Sequence, residues 1–130
     1  MIIGQHLLIE CRGRYADLDA EQLLGLMTDA ALAGSATVLF QHFHQFGDQG
    51  GVTGVLILAE SHITVHTWPE HHYAAFDVFM CGKARPEAAA EVIRARFPEA
   101  DICIKTVERA CPTSSLANSA RAAVAVCEPH

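Results

Sequence analysis

The run His6 to Glu10 (His-Leu-Leu-Ile-Glu) is short and apolar and predicts a first strand. Leu23, Leu26, Met27 and Ala30 then recur at helical spacing. Asp19 stands at the N-cap of that helix, Gln22 completes a capping box three residues on, and Gly34 lies where a C′ glycine would end it. Thr37 to Phe46 is β-branched and aromatic, a strand. Gly47-Asp48-Gln49-Gly50-Gly51 is a turn signal between it and Val52 to Leu58, so the two runs predict a hairpin. His62 to Thr67 reads as another strand, stopped by Trp68-Pro69-Glu70, and Tyr73 to Met80 as the next. Pro86 sits where the first turn of a helix tolerates it, with Ala88 to Phe97 continuing that helix. Ile102 to Val107 alternates into a last strand. Residues 109–130 turn to Ala, Ser and Pro with little periodicity and predict a weakly ordered tail.

The order β-α-β-β-β-β-α-β, with most strands joined as hairpins, predicts an α+β fold: a two-layer sandwich of one largely antiparallel sheet with both helices on one face. A chain of 130 residues is short for two domains, so residues 1–108 read as one. Composition supports a buried core, with 51% hydrophobic and 18% charged residues. The net charge of -6 comes with no Lys/Arg run to neutralise phosphates, which argues against nucleic acid as a partner. The longest uncharged stretch, Ala30 to Gly47, holds Gln41, His42, His44 and Gln45, which the centre of a bilayer would reject. Met-Ile-Ile-Gly-Gln-His has no basic residues ahead of an apolar run, so no secretory signal is read and a cytoplasmic protein is expected. Five scattered cysteines (Cys11, Cys81, Cys103, Cys111, Cys127) include no Cys-x-x-Cys pair, and reduced thiols are the expectation. His42 and His44 share a strand face and His71-His72 lie in a turn. No carboxylate or Cys completes a ligand set around either pair, so no metal is expected.

The informative stretch is Glu60-Ser61-His62-Ile63-Thr64-Val65-His66-Thr67-Trp68-Pro69-Glu70. It carries Glu, Ser and two His into a segment that otherwise reads as an interior strand, at a cost of roughly 1–3 kcal/mol for each polar group left unmet. One reading is structural: Ser61 and His66 bond neighbouring backbone at a strand end. Serine beside histidine also suggests nucleophilic catalysis, although no Gly-x-Ser-x-Gly elbow surrounds Ser61. A third reading has Ser61 attack the carbonyl of Glu60 in an N→O acyl shift. That reaction needs a strained peptide, donors on the developing oxyanion and a base, and a tight turn between Leu58 and His62 would supply the strain.

The block Ala-Glu-Ser-His-Ile-Thr-Val-His-Thr-Trp-Pro-Glu, followed by Tyr73-Ala-Ala-Phe-Asp-Val-Phe-Met-Cys81-Gly82, closely resembles the prokaryotic S-adenosylmethionine decarboxylase proenzymes. Gly4-Gln-His-Leu-Leu, Gly34-Ser-Ala-Thr-Val, Phe43-His-Gln-Phe46 and Gly51-Val-Thr-Gly-Val55 extend the resemblance from about Gly4 to Glu108. It implies self-cleavage between Glu60 and Ser61, giving a β chain of 1–60 and an α chain of 61–130 that begins with a pyruvoyl group made from Ser61. That cofactor would hold the substrate as a Schiff base and accept the electrons released with CO₂. By position, His66 resembles the proton acceptor of self-processing, Thr53 its hydroxyl-bearing support, and Cys81 the proton donor that quenches the carbanion. No metal is implied.

The substrate's chemistry extends the expectation. Phe46 and Trp68 offer aromatic faces to an adenine or a sulfonium, and Glu70 and Glu10 offer carboxylates to ribose hydroxyls or positive charge. The family also implies a homodimer, two sheets sandwiched between helices with sites near the subunit interface. Two departures stand out: Thr53 replaces the usual Ser, and the Gly47-Asp48-Gln49-Gly50 loop is one residue longer than the common one. The longer loop favours a rival, a pyruvoyl-dependent ornithine or arginine decarboxylase on the same fold. A non-catalytic paralogue is a third alternative, against which the intact Ser61, His66 and Cys81 count.

Overall fold

The computed structural model describes residues 1–112 and 124–128. Its elements run β1 (Ile2–Arg12), α1 (Ala20–Ala33), β2 (Val38–Gln45), β3 (Val52–Leu58), β4 (Ser61–Trp68), β5 (Tyr73–Cys81), α2 (Pro86–Arg96), β6 (Asp101–Ala110) and β7 (Val124–Glu128). The strands form one sheet in the order β2-β3-β4-β5-β1-β6-β7, with every neighbouring pair antiparallel. Both helices pack on the same face and against each other, α1 over β2 and β3, α2 over β1 and β5. The α+β sandwich of the sequence reading is therefore the fold. No described helix is long and apolar enough to cross a membrane.

Alternation builds the covered face. Leu7, Ile9 and Cys11 of β1, Leu56 and Leu58 of β3, Ile63 and Val65 of β4, and Phe76, Val78 and Met80 of β5 all point under the helices and are buried. They meet Leu23 and Met27 of α1, Ile93 of α2 and Phe97 just beyond it. Each of the Leu, Ile, Val, Phe and Met side chains contributes roughly 1.5–3 kcal/mol by leaving water. Burial pushes the Cys11 thiol up to about 12. Helix α1 begins where the sequence places it: the Asp19 side chain accepts from Gln22 N–H, and the Gln22 side chain accepts from Asp19 N–H.

Gly34 ends α1 for a reason other than a left-handed conformation. Its φ is -80°, and the left-handed residue is Ser35, with φ 62°. A Cβ on Gly34 would lie 2.9 Å from Sδ and Cε of Met80 and 3.1 Å from the carbonyl oxygen of Arg85, so close packing is what demands glycine there.

Two expectations change at the C-terminal end. The last predicted strand extends to Ala110, and Val124–Glu128 adds β7, a seventh strand on the edge of the sheet, within the segment read as a tail. The rest of that tail, 113–123 and 129–130, lies outside the described residues. The register of β6 and β7 sets Cys103 opposite Cys127, and the two are joined by a disulfide. The expectation of reduced thiols throughout therefore fails at this pair. Cys11, Cys81 and Cys111 are free.

Candidate active site

The polar residues of interest form two groups, most of them on the face turned away from the helices; Ser61, in step with Ile63 and Val65 along β4, is the exception. The first surrounds Ser61. Strands β3 and β4 pair up to Leu58 and Ser61, leaving only Ala59 and Glu60 to reverse the chain. Glu60 adopts φ 62°, a left-handed conformation costing roughly 1–3 kcal/mol for a side chain of this size. The peptide bond leaving this strained residue is the one that joins it to Ser61. Ser61 itself is 9% exposed.

Cys81 ends β5 beside this turn. Its thiol donates to the carbonyl oxygen of Glu60 at 2.8 Å, and its Sγ lies 3.9 Å from Ser61 Oγ. A donor thus sits on the oxygen where negative charge would develop if a nucleophile attacked that carbonyl, and the residue that follows carries a hydroxyl. Ser61 and Glu60 open into a cavity of about 470 Å³ that His6, His62, Phe79 and Arg109 also line.

A chain of polar contacts crosses that cavity. Strand pairing sets His62 opposite Phe79 and Phe79 opposite His6, so three rings lie side by side, with Phe79 4.4 Å from His6 and 5.5 Å from His62. Asp77, two residues back along β5, reaches His6 Nδ1 at 3.0 Å with one oxygen and His62 Nε2 at 3.5 Å with the other. Arg109 Nη1 lies 3.1 Å from His6 Nε2. Sequence reasoning missed this network, since its members come from four strands and only the register brings them together.

The second group lies toward the other end of β4. Thr53 pairs with His66, and its hydroxyl lies 3.2 Å from His66 Nδ1. The His66 ring is 6.1 Å from Trp68, which stacks on Tyr73 at 5.2 Å, and Tyr73 donates to Glu10 Oε1 at 2.6 Å. Desolvation and this bond to Glu10 push the Tyr73 phenol up to about 12. Phe46, 57% exposed, stands beside His44, itself opposite Thr53, and Glu70 lies exposed in the turn Pro69–His71.

Of the expected site residues, the fold gathers Glu60, Ser61 and Cys81 in one place and Thr53, His66 and Trp68 in another. Ser61 and His66 are five residues apart on one strand, so they face opposite sides of the sheet and lie about 17 Å apart along it.

Comparison with known proteins matches this arrangement to one family. The family model described as S-adenosylmethionine decarboxylase matches residues 5–110. The chain belongs to that family. An S-adenosylmethionine decarboxylase proenzyme of Thermodesulfovibrio yellowstonii is 43% identical over 98 residues, covering 73% of this chain and 72% of the relative. One from Prochlorococcus marinus is 40% identical over 123 residues, covering 92% and 97%. The crystal structure of the adenosylmethionine decarboxylase from Aquifex aeolicus superposes with a TM-score of 0.75 at 30% identity, covering 88% of this chain and 98% of that one. Every residue of both groups falls within the stretch matched to the S-adenosylmethionine decarboxylase family.

Proposed function

We propose that this chain is a self-processing S-adenosylmethionine decarboxylase that cuts itself between Glu60 and Ser61, into 1–60 and 61–130, and carries a pyruvoyl group made from Ser61 as its cofactor. The observation that carries the reading is the state of the Glu60 carbonyl: strained at φ 62°, bonded by the Cys81 thiol at 2.8 Å, and followed by a buried serine hydroxyl. These residues fit the formation of the group.

In the first step Ser61 Oγ bonds to the Glu60 carbonyl carbon, the C–N bond breaks, and the hydroxyl proton passes to the nitrogen, leaving an ester. Relief of the strain at Glu60 favours this direction, and the Cys81 S–H stabilises the oxyanion on the way. Loss of the Ser61 Cα proton then expels the Glu60 carboxylate from Cβ. Addition of water and departure of ammonia complete the conversion. The mature pyruvoyl carbonyl supplies a sink for the electrons released with CO₂. Cys81 Sγ, 3.9 Å from Ser61 Oγ before cleavage, holds the proton that the product carbon receives.

His66 is the base for the Cα proton, with Thr53 fixing its ring, and it acts on a second copy of the chain. The separation of about 17 Å along β4 argues for this, as does the exposure of Phe40 (56%), Ile57 (44%) and Trp68 (39%) on the same open face. A two-fold axis lying between two such faces, perpendicular to β4, reverses strand direction. It sets the Thr53–His66 end of one copy over the Ser61 end of the other. Phe46 and Trp68 of the second copy then flank the adenine, with Glu70 and Glu10 available to the ribose hydroxyls and the sulfonium charge.

The test is CO₂ release from carboxyl-labelled S-adenosylmethionine, ornithine and arginine in parallel. Release from the first alone is expected. Turnover of ornithine or arginine with none of S-adenosylmethionine would replace the substrate and keep the chemistry.

A further inference from the structure

His6, His62 and Asp77 present three ligand-type atoms within 4.8 Å of one another, the makings of a cation site. The hydrogen-bond logic points elsewhere. A guanidinium has only donors, so Arg109 at 3.1 Å makes His6 Nε2 an acceptor. The His6 proton therefore resides on Nδ1 and is donated to Asp77 at 3.0 Å. This tautomer satisfies both His6 contacts, and the permanent cation in the cluster is Arg109. Asp77 fixes the tautomer of His6, and His6 fixes the position of the guanidinium, with Phe79 beneath its ring at 4.4 Å. Among the described residues one N–H of the fork is used, which leaves the others for a ligand.

We propose that Arg109, positioned by His6 and Asp77, binds the α-carboxylate of the substrate's amino-acid moiety. The inference rests on the reading of the Ser61 cavity as the decarboxylation site. In that reading the reacting carbon must lie against residue 61, and the carboxylate is attached to that same carbon. Wherever the nucleoside end lies, the carboxylate is confined to this cavity, and Arg109 is the cation of its lining. The planar fork matches a carboxylate in geometry as well as charge. His6 and Asp77 are positioning residues here, acting only through the guanidinium.

The probes are S-adenosylmethionine and its decarboxylated form, which differ only by the carboxylate, titrated calorimetrically against the uncut Ser61→Ala chain. The parent should bind S-adenosylmethionine more tightly than the decarboxylated form. Adding Arg109→Gln should weaken S-adenosylmethionine about tenfold, the scale of a part-exposed charged hydrogen bond, and leave the decarboxylated form unchanged. Unchanged binding of the latter also reports an intact fold. Arg109→Lys should recover part of the loss, and Asp77→Asn should lose part of it. Equal discrimination by parent and Arg109→Gln overturns the proposal. A parent that binds neither compound overturns the reading of the cavity beneath it, and is distinguishable from that result.

Discussion

The thiol of Cys81 donates to the carbonyl oxygen of Glu60 across 2.8 Å, beside the bond to Ser61 at which we propose the chain cuts itself. The sequence reading gives Cys81 a task only after cleavage, as a proton donor in turnover. The geometry gives it an earlier one as well.

Cys81→Ala should therefore slow self-cleavage, by about tenfold for a weak S–H donor whose loss costs less than that of a backbone N–H in an oxyanion hole. It should also abolish correct protonation of the product. Cys81→Ser should cleave faster than Cys81→Ala, because the hydroxyl restores a donor. Band intensities of uncut and cut chains over time check the order of the three rates. Cleavage of Cys81→Ala at the wild-type rate would show that the contact does nothing.

If His66 acts across the dimer, two inactive variants should repair each other. His66→Ala chains retain Ser61 but lack the base, and Ser61→Ala chains retain the base but cannot be cut. Refolded as a mixture, up to half of the His66→Ala chains should meet a Ser61→Ala partner and be cleaved. Mass spectrometry distinguishes the two chains. No cleavage in the mixture, alongside cleavage of wild type treated identically, would place the base within the same chain.

Much of this was legible beforehand. The Asp19–Gln22 capping box, the Val52–Leu58 strand and the single-faced sandwich all follow from period and turn chemistry, which are local. Even the separation of Ser61 from His66 was readable, since five residues is an odd number and a strand alternates faces. Two things were hidden. Strand β7 alternates Val124-Ala125-Val126, but its small side chains leave almost no hydropathy contrast, and its place is fixed by pairing with β6 and the Cys103–Cys127 bond. The Arg109–His6–Asp77–His62 network depends on the strand order β4-β5-β1-β6, a non-local fact that no spacing along the chain encodes.

Tyr73 provides a spectroscopic check on the Glu10 end of the site. Its phenol is raised from 10.0 to about 12, first by desolvation and then by its bond to the Glu10 carboxylate. A raised value means that the folded state holds the proton more tightly. The stabilisation is thus fully present below pH 10 and is lost as pH rises through about 12. Ultraviolet titration should find one tyrosine ionising near 12. Glu10→Gln, which removes the charge, should bring it down toward 10, and an unchanged titration would disconnect the two residues.

The mass of freshly purified protein reads the bond between Glu60 and Ser61 directly. Two fragments are expected, residues 1–60 and a 61–130 chain that has lost its amino terminus to a carbonyl and gains mass with hydroxylamine, while Ser61→Ala stays whole. A wild-type chain that remains a single 14.1 kDa species after prolonged incubation, inert to hydroxylamine, would contradict self-cleavage.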